Sequence, residues 1–314
     1  MRWMNICYAM LFLCFQVSAQ SGGRMAQAVN KVAEQIRDHY VDSARGAAIA
    51  ANFREAYQKG VFKNVTLEKG FDSLATAVLR NYSHDGHLYV RIAPDAVAEM
   101  KEKKDTTGVD IFFYGPQAES NNFGFREVSV LPGNIGYIKL SQVNISKKSL
   151  PVLYAAMQLV ARTRSLVIDL RNNGGGGSDI GAVFESCFLP AGLRLLTSTD
   201  RKGKAETDTT LNWPEIPHYQ QPVYVLVNKK SVSAAEAFAF VLQAQHRATV
   251  VGEPSAGAAN MNEWYPVNDE LIVSVSIRQT ALPGTSLTWE GKGVQPDILT
   301  PEAGALQYVL DKLK

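Results

Sequence analysis

Between residues 25 and 82, apolar side chains recur every three to four positions. Val29, Val32, Ala33, Ile36 and Tyr40 form one stripe. Ile49, Phe53, Ala56 and Tyr57 form a second, and Leu67, Phe71, Leu74, Ala75 and Val78 a third. This period predicts three amphipathic helices, with Thr66 placed to cap the third. The short joints between them suggest a small helical bundle, expected as an N-terminal domain over residues 20–84. The pattern then changes. "HLYVRI" reads as a strand, and residues 103–124 are polar and contain glycine, as in a linker or exposed hairpin. From residue 125 short apolar runs alternate with longer helical patterns. The runs are "FREVSVL", "NIGYIKL", "SLVIDL", "VYVLVN", "ATVVGE" and "LIVSVSI"; the helices fall near 149–162, 179–188, 232–245 and 302–313. Strand–helix alternation at this spacing predicts an α/β core, expected over residues 85–314. The chain shows no internal repeat and no low-complexity tract.

The 314 residues, 46% hydrophobic and 20% charged, are ordinary globular material. The start is different. Arg2, the apolar stretch "ICYAMLFLCF" and the exit "QVSAQ" read as a secretory signal peptide, residues 1–19, cut after Ala19. The stretch is short for a bilayer span, so no integral span is expected in the mature chain. A lipoprotein signal using Cys14 is the rival, but Leu13 is large where such signals take a small residue. Cleavage removes Arg2 and no acid, so the formal charge of +2 falls to +1. That balance lacks the basic face nucleic acid requires. Cys7 and Cys14 leave with the signal, and Cys187 alone gives no internal disulfide. Stability must come from the core, which about 295 residues suffice to build. Asn-x-Ser/Thr sequons stand at Asn64 and Asn144.

Four stretches carry candidate chemistry. In "NKKSVSAAEAFAF" Ser233 and Glu236 have the spacing of a capping box, and Ser233 also lies where a strand–helix junction could expose a nucleophile. In "LVIDLRNNGGGGSDIG" a buried strand runs into Asn172, Asn173 and four glycines. Glycines there let backbone N–H groups face an oxyanion or phosphate, or simply make a turn. No Gly-x-x-x-x-Gly-Lys is present, which argues against a nucleotide loop. "SHDGHLYV" holds His84 and His87, without the cysteines or carboxylate spacing of a metal site. "TWEGKGVQPDI" sets Glu290 beside glycine. Trp213, Trp264 and Trp289 read as core residues or as the wall of a pocket.

Taken in order, "DGHL", "GNIGYIKL", "LVIDLRNNGGGG", "VYVLVNKKSVSAAEAFA", "ATVVGEPSAGAAN" and "GVQPD" resemble the C-terminal processing, or tail-specific, proteases. The resemblance covers about residues 24 to 312. It is nearest the branch that holds the tricorn protease core and the interphotoreceptor retinoid-binding protein modules. It implies a crotonase/ClpP-like α/β core with a spiral-type sheet, a peptide or protein substrate, and no cofactor or metal. By position it implies Ser233 as nucleophile, His87 as base and Glu290 as the acid that orients the imidazole. The oxyanion hole falls on the N–H of Gly174 or Gly175 with that of Ala234. Imidazole is the natural base near neutral pH. A neighbouring carboxylate would lift its titration to neutrality or above. Ala258 stands where the Ser–Lys branch carries lysine, and residues 92–124 are too few for that branch's PDZ domain. Gly86 replaces the serine that in the tricorn type bridges histidine to glutamate, leaving Ser83, another hydroxyl or water for that task. The retinoid-binding modules imply a rival function, the binding of an apolar small molecule without catalysis. An esterase using the same residues is a third reading.

Overall fold

The computed structural model describes residues 23–103 and 113–314. The expected signal peptide, with Ala19 and Cys14, and residues 104–112 of the expected linker lie outside the described residues. The chain divides into two compact units. One holds the described residues through 103 together with Asn262–Ile277; the other holds 113–261 and Arg278–Lys314.

In the first unit the three stripes become helices α1 (residues 23–39), α2 (Ser43–Gln58) and α3 (Phe71–Ser83). Asp42 caps α2, its carboxylate accepting the Arg45 N–H at 2.9 Å. Thr66 does not cap α3. It pairs with Lys69 in a tight bridge, and Gly70, at φ +85°, turns the chain into the helix. The left-handed conformation selects glycine there, and glycine has no side chain to cap with. The helices do not form a bundle by themselves. Their inner faces, around Ile36, Phe53 and Leu79, share one core with Leu88, Val90, Leu271, Val273 and Val275. Those residues lie just before or on β1 (Tyr89–Ile92) and on the first part of a long strand, Leu271–Ala281 (β12 below), paired antiparallel from Tyr89↔Ser274 to Ile92↔Leu271. A helical layer with one apolar face needs a second layer, and β1 with a segment returning far later in the chain, at Leu271, supplies it. The unit therefore runs past the expected boundary at 84–85. It also includes α4 (Pro94–Lys103), absent from the sequence reading, which opens on a proline.

The second unit is the expected α/β body. After α5 (Pro116–Ser120) come β2 (Phe125–Leu131), β3 (Ile135–Leu140), β4 (Val143–Ile145), α6 (Leu150–Val160), β5 (Ser165–Asp169), β6 (Gly176–Ser178) and α7 (Val183–Ser186). Then follow β7 (Arg194–Asp200), β8 (Ala205–Thr209), β9 (Val223–Val227), α8 (Ala234–Ala244) and β10 (Ala248–Gly252). Strand β11 (Met261–Pro266) and β12 (Leu271–Ala281) lead to β13 (Ile298–Leu299) and α9 (Ala305–Lys312). The main sheet has the order β13-β10-β9-β5-β3-β2, parallel except for the edge strand β2. Every residue of β5 is buried, as expected for a parallel strand covered on both faces. The period of two sorts them. Leu166 and Ile168, with Leu170 just past the strand, join the large core with Leu153, Phe184 and Phe238, whereas Val167 faces a smaller core closed by Ala305 and Val309 of α9. Because β3, β5 and β9 are parallel, the loops after Leu140, Asp169 and Val227 emerge at one edge of the sheet. In open α/β sheets ligands bind at that edge.

Candidate active site

Two asparagines and a serine fasten these loops. Beyond β5, Asn172 takes φ +61° and its N–H donates to the Asn228 side chain at 3.0 Å. The Ser231 hydroxyl donates to the Leu170 carbonyl at 2.7 Å, tying the loop after β9 to the end of β5. Asn173 is fully buried. Its side-chain amide donates to Leu140 O at 2.9 Å, its Oδ1 accepts the Gly175 N–H at 3.0 Å, and its carbonyl accepts the Val232 N–H at 3.0 Å. One residue, through its side chain and its carbonyl, thus joins the end of β3, the glycine loop and the residue before Ser233.

Ser233 is the first residue of the α8 turn and has φ +54°, ψ −114°. That conformation is strained for any residue with a Cβ, and such strain collects at functional sites. The capping-box arrangement is present, with the Ser233 N–H donating to Glu236 Oε2 at 2.8 Å. The next amide, that of Ala234, is bonded to nothing among the described residues and starts the helix, where the dipole favours negative charge. Gly175 packs directly beneath. A Cβ built on it would lie 3.0 Å from Val232 O and 3.1 Å from Ser233 Cβ. The glycine amides differ from expectation. The Gly174 N–H donates to Ser141 O at 3.0 Å, and that of Gly175 is held by Asn173. Of the three expected oxyanion donors, Ala234 alone is open. Asn173, which the sequence reading passed over beside the glycines, is what holds the loop in this form.

Glu236 is fully buried, and burial pushes its carboxyl above the usual range while four donors pull the other way. They are the Ser255 hydroxyl and Gly257 N–H at Oε1, both 2.6 Å, and at Oε2 the N–H groups of Ser233 and Ala258, at 2.8 and 2.9 Å. Ala258 therefore contributes its backbone where the other branch has a lysine side chain. Glu290 takes the next two amides, Ala259 at 2.7 Å and Asn260 at 3.0 Å, both on Oε2. Trp289 beside it is buried and stacks obliquely on Phe240 with centroids 4.9 Å apart.

His87 belongs to the first unit. Its backbone is fixed on both sides. The N–H donates to Asp85 Oδ1 at 2.8 Å, and the carbonyl accepts the Ser274 hydroxyl at 2.6 Å. Asp85 is buried and takes the Tyr40 hydroxyl on its other oxygen at 2.9 Å. Nδ1 of His87 is buried without a hydrogen-bond partner among the described residues. The Ser83 hydroxyl accepts the Asp85 N–H at 3.1 Å, and no hydrogen bond joins it to Nδ1 of His87. Burial pushes the imidazole down to about 4, with Asp85 pulling upward and Arg80 adding to the depression. The expected upward shift is reversed because desolvation outweighs the nearby carboxylate. His84, by contrast, ends α3 in a left-handed turn.

Residues 134–300 match the profile of peptidase family S41. The chain belongs to that family. Residues 22–120 match the N-terminal domain of Peptidase_S41 in eukaryotic IRBP. A carboxyl-terminal-processing protease of Synechocystis is 31% identical over 154 residues, 48% of this chain and 35% of the relative. The chain thus matches about a third of the length of that curated relative. Two solved structures share the fold. A lipoprotein from Streptococcus agalactiae superposes with a TM-score of 0.60 at 18% identity, covering 92% of this chain and 96% of its own. The tricorn protease gives a TM-score of 0.59 at 14% identity, covering 93% of this chain and 36% of its own. Among the described residues no helix is long and apolar enough to cross a membrane.

Proposed function

We propose that this chain is an exported serine peptidase that cleaves peptide bonds through an acyl-enzyme on Ser233. The observation that carries the reading is the strained Ser233 at the start of α8, next to an open amide at Ala234. In this reading the Ser233 hydroxyl and the adjacent Ala234 N–H address the same substrate carbonyl. Attack on a carbonyl would place the developing oxyanion at the Ala234 N–H, where donors fixed in advance are worth most. His87, neutral at pH 7 because burial depresses its titration, takes the serine proton and returns it to the leaving amine. A water then repeats the sequence in reverse roles to release the acid. Glu290 supports the site through the 259–260 amides. The Gly175 N–H joins the oxyanion hole only if it leaves Asn173. Export rests on the Arg2-to-Ala19 segment, and the substrate class on the family.

The test uses a fluorophosphonate probe and a peptide library on the purified protein. Labelling at Ser233 together with peptide cleavage, both abolished in Ser233→Ala, is the expected result. Labelling with cleavage of simple esters but no peptide would indicate an esterase. A protein that neither labels nor cleaves, yet takes up an apolar ligand, would overturn the reading in favour of the binding module.

A further inference from the structure

Four consecutive backbone amides, Gly257 to Asn260, point at two carboxylates, two at Glu236 and two at Glu290. Glu236 also holds the N–H of Ser233. We infer that Glu236 is a positioning residue that locks the backbone of Ser233 to the loop carrying Glu290's partners, so that the nucleophile and the acid share one rigid frame. The inference rests on the reading of Ser233 as the nucleophile.

The chemistry of the donors makes the role specific to a carboxylate. Both oxygens receive two donors, and three of the four donors are backbone amides that cannot reverse direction. The fourth, the Ser255 hydroxyl, itself accepts the Val294 N–H at 2.6 Å, so its proton is directed at Glu236. A glutamine of the same shape has one acceptor and one donor. Turned one way, its NH2 meets the amides of Ser233 and Ala258. Turned the other way, it meets Gly257 and Ser255. Two buried N–H groups lose their acceptor in the first case and one in the second, and the loop or the Ser233 turn must shift. Ser233 sits in a conformation that persists only while its surroundings impose it. Loosening either side moves the reacting oxygen without touching a substrate contact.

The experiment compares wild type, Glu236→Gln and Ser255→Ala. Three quantities are read: kcat and KM for peptide cleavage, the rate of fluorophosphonate labelling, and amide exchange at residues 233 and 255–260. For Glu236→Gln the expected result is a kcat lower by about 10- to 100-fold, the range that a displacement of an ångström or less produces. KM should stay within about twofold, the labelling rate should fall in parallel, and the melting curve should remain cooperative. Exchange should quicken at Ser233 and at Gly257–Ala258 together. Ser255→Ala, which removes one hydroxyl donor, should show the same pattern in smaller measure; it tests the inference should Glu236→Gln not fold. Wild-type kcat and labelling in a folded Glu236→Gln, or exchange that quickens in one segment and not the other, would overturn the inference. Should wild type itself neither cleave nor label, the nucleophile reading fails. The exchange measurement then still decides whether Glu236 couples the two segments.

Discussion

A single methyl group added at Gly174 or at Gly175 tests how the glycine loop serves Ser233. Gly174 is exposed, has no positive φ, and a Cβ there would find nothing within 4 Å. Its N–H bond to Ser141 is unaffected by a side chain. Gly174→Ala should therefore be neutral or stabilising by up to about 0.5 kcal/mol, since alanine restricts the unfolded chain more than glycine does. Gly175 is buried at φ +92°, with the new Cβ 3.0 Å from Val232 O and 3.1 Å from Ser233 Cβ. The left-handed backbone alone costs an L-residue about 1–2 kcal/mol, and the contacts require Ser233 or the loop to give by a few tenths of an ångström. The sum is about 2 kcal/mol, a fall of several degrees in Tm for a chain of this size. Because the neighbour displaced is the nucleophile, kcat should fall further than stability does, by about 100-fold. Calorimetric melts and steady-state kinetics on the pair give both readings. If Gly174→Ala lost as much activity as Gly175→Ala, an oxyanion role for the Gly174 amide would return and the hydrogen bond to Ser141 would be beside the point. If Gly175→Ala kept full activity, the packing of Gly175 under Ser233 would have no bearing on the reaction.

Three further outcomes are expected. Ser233→Gly should abolish cleavage yet raise stability by about 1–2 kcal/mol, because glycine accepts φ +54° without strain; Ser233→Ala keeps the strain and should melt near wild type, and denaturant titrations distinguish the two. His87 is held neutral in the folded chain down to about pH 4, whereas the unfolded histidine titrates near 6.5. The unfolded state therefore binds the extra proton first, and this group's contribution is lost as pH falls from about 6.5 to 4, by on the order of 3 kcal/mol; His87→Phe should flatten that part of the stability curve in urea titrations at pH 7 and pH 4.5. Among the Asn-x-Ser/Thr sequons, Asn64 is exposed, as is Asn81 of Asn-Tyr-Ser near the end of α3, and Asn144 is fully buried in β4; expression in a glycosylating host should modify Asn64 and Asn81 but not Asn144, as read by mass spectrometry of the peptides.

The strands that the sequence announced are those with an apolar run of their own, buried throughout in β5 and only in part in the edge strand β2. β2, β3, β5, β9 and β10 fall where "FREVSVL", "NIGYIKL", "SLVIDL", "VYVLVN" and "ATVVGE" place them. β6 is Gly-Gly-Ser and β8 is Ala-Glu-Thr-Asp-Thr. Neither has a periodic apolar signal, because each is held by its ladder partner and not by a buried face. The boundary of the first unit was hidden for a different reason. "LIVSVSI" announces a strand, but nothing local says that it pairs with Tyr89–Ile92 and closes the core of helices far earlier in the chain. Pairing over that separation is a property of the folded chain and not of any window.

The site divides along the same line. Residue types and spacing pick out Ser233, His87 and Glu290 because the chemistry needs a hydroxyl, an imidazole and an acid. They pick out the glycines because a backbone must approach closely. What they do not give is which amides remain open once the backbone has bonded to itself. Gly174 and Gly175 look equal in "NNGGGG", yet one amide is taken by Ser141 and the other by Asn173, while Ala234, which has no signature of its own, is left open as the first amide of α8. The imidazole follows the same logic. An orienting carboxylate, assigned by resemblance to Glu290, implies a raised pKa; the carboxylate two residues before His87, Asp85, accepts the Tyr40 hydroxyl and the His87 N–H, and burial decides the direction. In each case the deciding quantity is the saturation of buried polar groups. Most buried donors find an acceptor, so the groups left over are fixed largely by all the others. Glu236 reads as a helix cap by spacing and is one, but the same carboxylate also takes the Ser255 hydroxyl and the amides of Gly257 and Ala258.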